Sequence, residues 1–117
     1  MSTHPEHRHE LMPRPARTPE ALLNAIARLA PHRLGEMQRQ KDEAFTIAVR
    51  TDRLGPIHGW MTVWAAEAEI ERRPDLFSRR SSAELAIHTL DRTDPRWQQA
   101  MDEALAVVNE ARATVNE

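Results

Sequence analysis

The side chains able to do chemistry in this 117-residue chain fall into three groups: paired carboxylates, scattered histidines and a knot of arginines. Glu67 and Glu71 stand four residues apart, as do Glu84 and His88, so each pair shares one face of a helix. Carboxylate-bridged metal bundles instead combine helix glutamates with a Glu-x-x-His spacing of three, supplied twice. The spacing here is four and has no second copy. As structure, Glu67, Glu69 and Glu71 followed by Arg72 and Arg73 read as a solvated helix end, with Glu67 near the apolar arc.

His58 is the strongest single titratable candidate. In the first turn of a helix the dipole favours its neutral ring, which is able to act as a base. No serine or carboxylate at a suggestive spacing nominates a nucleophile, and there is no cysteine in the chain. His4, His7 and His9 crowd the N-terminus, loosely spaced and without an acidic partner fixed nearby. No glycine-rich phosphate loop, G-x-S-x-G elbow or H-E-x-x-H motif occurs, and glycine appears only three times. The sequence therefore nominates no catalytic, cofactor-binding or metal-ligating residue and no cofactor.

Arg72, Arg73, Arg79 and Arg80 bracket a proline and form the densest basic patch, a polar contact surface for an acidic protein partner. The same patch is able to neutralise phosphates, which gives the alternative of a small DNA-associated regulator. Glu67, Glu69, Glu71 and Asp75 lie in the same region and oppose that alternative. So do the net charge of −2 and the lack of a helix-turn-helix signature.

Positioning these residues falls to helices. Gly55–Pro74 reads as a proline-started helix in which Ile57, Trp60, Met61, Trp64 and Ala68 recur at three and four, the hub of the core. Before it, Thr18-Pro19-Glu20 caps a helix ending at Ala30-Pro31. Pro31 starts another helix to about Thr51, with Leu34, Met37, Ala44, Phe45, Ile47, Ala48 and Val49 as its apolar positions. Gly35 weakens that helix unless a close crossing needs bare backbone. After Pro74 the pattern predicts a short turn, then a separate helix capped by Ser81 with Glu84 closing a capping box. Asp94-Pro95 opens the last helix.

In that last helix Trp97, Met101, Ala104, Val108, Ala111 and Val115 alternate by four and three over nearly three heptads. Such a stripe either closes the chain's own bundle or forms a seam against another copy. Trp97, Met101, Val108 and Val115 are the interface candidates, and a homodimer is the expected assembly. Residues 1–17 are polar, carry three prolines and are expected to be a disordered His-rich arm, leaving 18–117 as one all-helical domain. No apolar run reaches membrane-spanning length and no hydrophobic leader is visible, so a cytoplasmic location is expected.

The blocks PEALLNAIARLAP (19–31), DEAF with TDRLGPIHGW (42–45 and 51–60), and Trp64 with EIERRP (69–74) resemble a family of short all-helical actinobacterial proteins. Some members are encoded beside RelE-like toxins, and the resemblance implies an antitoxin-like or regulatory accessory role. It covers about half the chain and assigns no functional residue. The expectation is a single all-α bundle of four to five helices, a non-enzymatic module working on a protein partner. A third alternative is a ligand binder or enzyme with a pocket near His58 and Trp64.

Overall fold

Thr18 opens the first helix as its sequence predicts: its hydroxyl accepts the Ala21 N–H at 3.2 Å, and Pro19 occupies the first turn. In a computed structural model describing residues 10–116, five helices follow, α1 (Pro19–Leu29), α2 (Leu34–Thr51), α3 (Gly55–Arg72), α4 (Pro74–Thr89) and α5 (Pro95–Val115). No strand occurs among the described residues, and the molecule is a small all-α bundle.

Ala30 leaves helical geometry before Pro31, and Pro31–Arg33 forms a single 3-10 turn that hands over to α2. Asp52 ends α2 in the left-handed conformation (φ 54°, ψ 42°), which aspartate tolerates better than most residues. Arg73 is extended before Pro74, which separates α3 from α4. At the start of α5, the Asp94 carboxylate accepts the Arg96 N–H at 2.9 Å.

Helix α3 is the hub, with α1 and α2 on one side and α4 and α5 on the other. On the first side Leu22 and Ile26 of α1 and Met37 of α2 close over Trp60 and Trp64, the latter 1% exposed. Both indoles are satisfied: Trp60 Nε1 donates to the Met37 carbonyl and Trp64 Nε1 to Gln40 Oε1, each at 3.0 Å. On the second side Ala66 and Ile70 meet Leu76 of α4 and Val107 and Ala111 of α5. Burial on both sides explains why the apolar residues of α3 extend beyond the single face of Ile57, Trp60, Met61, Trp64 and Ala68.

The expectations for the N-terminal segment, α4, α2 and α5 are corrected. Residues 10–17 are not a free arm but a strap: the Leu11 N–H caps α3 by donating to the Arg72 carbonyl at 2.8 Å, and Met12 packs against the tryptophan core. His4, His7 and His9 lie outside the described residues. Next, α4 runs unbroken through Ser81, because no proline or glycine interrupts 75–89 and the local capping signal competes poorly with a continuing helix. In α2 only Met37, Ala44 and Ala48 are buried, while Phe45, Ile47 and Val49 face outward. Gly35 serves no close crossing, since nothing lies within 4 Å of where its Cβ would be.

Finally, the buried line of α5 is Ala100, Val107 and Ala111, rotated from the heptad stripe. Val108 and Val115 pack against the chain's own core clusters, and Trp97 is half-buried with its N–H donated to the Ile87 carbonyl at 3.2 Å. Of the four interface candidates only Met101 is exposed. The α5 stripe is mainly intramolecular.

Candidate functional site

The last two turns of α3 carry charge inside the protein. Glu69 is 0% exposed and Arg72 3%, although the spacing of these residues reads as a wetted helix end. Arg72 forks onto Glu69 through Nε and Nη2 at 2.9 and 3.0 Å. From the strap, Arg14 forks onto the same carboxylate at 2.9 and 3.2 Å, and Glu10 meets Arg72 at 3.0 Å. Burial raises the Glu69 carboxyl's proton affinity, but Arg72 and Arg14 outweigh it and hold the group below its ordinary range. The signal missed in the sequence was the i,i+3 pair Glu69–Arg72, whose counter-charge comes from the segment expected to be disordered.

A second network sits where α3 faces α4 and the 3-10 turn. Glu67 receives hydrogen bonds from Arg33 and Arg80, and Arg80 also reaches Glu71 at 3.2 Å. Burial pushes Glu67 up, yet the two guanidiniums hold it low. At Glu71 burial prevails over Arg80 and Arg33, aided by the neighbouring Glu67 charge, and the carboxyl is raised. A polar cleft of 500 Å³ opens here beside His32 and Glu84. Its arginines are already occupied by the two α3 carboxylates.

The arginine patch is thereby accounted for. Arg73 forks onto Asp75 at 3.1 and 2.7 Å, and Arg79 stitches α4 to α5 through Glu103 and Glu110 at 3.0 Å each. All four guanidiniums, Arg72, Arg73, Arg79 and Arg80, pair with carboxylates of the same chain. Near His58 and Trp64, where the alternative reading puts a pocket, His58 is exposed, Trp64 is sealed under Arg33, whose guanidinium lies 4.8 Å from the ring centre, and an open 340 Å³ depression is lined by Gln40, Glu43, Ile47, Gly59, Trp60 and Val63. Among the described residues no group of three histidine, aspartate or glutamate side chains is placed to hold a metal. No described helix is long and apolar enough to cross a membrane.

What remains open is a groove of 920 Å³ along the α4–α5 hairpin. Ala83, Ala86 and Ala100 form its floor, and Leu85 and Leu90 rise along it. Leu85 is 65% exposed. Its accessible surface is mainly apolar, with Asp75, Arg79, Arg96 and Glu103 at its margins. Compared with family models, curated proteins and solved structures, the chain gives no match.

Proposed function

We propose that this protein is a non-enzymatic, regulatory interaction module, antitoxin-like in class, that works in the cytoplasm through its α4–α5 surface. The resemblance to actinobacterial proteins encoded beside toxins supports the class. The observation that carries the reading is the apolar hairpin groove, left uncovered by the described residues, whose buried charges are already neutralised among themselves. A helix laid along α4 and α5 would bury Leu85 and Leu90 over the alanine floor, the geometry of helix-in-groove recognition.

The test is capture of the products of the flanking genes by the tagged full-length chain, together with a measurement of self-association. Association through the groove falls at least about tenfold in Leu85→Arg, which buries a charge at its centre, and survives in Val49→Arg on the remote α2 surface. The reading fails when neither a flanking product nor a second copy binds, or when Leu85→Arg leaves binding intact.

A further inference from the structure

We draw no further inference here: the strongest candidate, the apolar groove along the α4–α5 hairpin, belongs to the site already described, its charged margins are paired within the chain, and nothing in the structure shows what covers it.

Discussion

Glu69 shows what a single residue can hide from its sequence neighbours. It is embedded between two forked arginines, one three positions along the helix and one fifty-five positions back. The near partner was legible in the spacing; the distant one was not, because the strap carries no apolar periodicity. Glu69→Gln leaves two guanidiniums competing for a neutral amide, one of them buried, and is expected to lower stability by about 3 kcal/mol in urea unfolding. Glu71→Gln is expected to be neutral or stabilising at neutral pH, since burial already disfavours that charge. The signs of the pH dependence follow. Glu67 and Glu69 have lowered folded values, so their stabilisation is complete above the ordinary carboxylate range and is lost as pH falls through those values. Glu71 acts oppositely, its raised value costing stability as pH climbs through it.

At the scale of elements, helix starts were the most legible feature. Thr18-Pro19 and Asp94-Pro95 pair a cap with a proline, a local device that needs no tertiary partner, and both stand where the sequence puts them. The tryptophan helix was equally clear, because bulky residues at three and four leave little choice of face. The α4 boundary was misread, since Ser81 with Glu84 imitates a cap inside a helix that nothing interrupts. The face of α5 was also misread: alanines at every turn leave the apolar arc too broad for spacing to centre it, and Val107 rather than Trp97 marks its buried line. Ser82→Pro separates the two descriptions of α4. It would be tolerated at the first position of a new helix, but inside a continuous one it is expected to cost about 3 kcal/mol or more, seen as a lowered thermal midpoint.

The whole molecule measures 48 × 45 × 26 Å, and its short dimension is about two helix diameters. Such a slab has much surface for its volume. The all-helical architecture followed from composition and pattern; the open groove did not, because it depends on which α5 face turns inward. If two slabs join through their hairpins, the thermal midpoint is expected to rise with protein concentration in the wild type and to become independent of it in Leu85→Arg, as scanning calorimetry over a dilution series would record. One consequence concerns the beginning of the folded chain. Because the interior carboxylate at 69 shares its neutralisation among Arg72, Arg14 and Arg73, a proteolytic nick between Pro15 and Thr18 would not trim an idle tail. It would withdraw a counter-ion from the protein's centre, and resistance to cleavage there reports on the integrity of the entire fold.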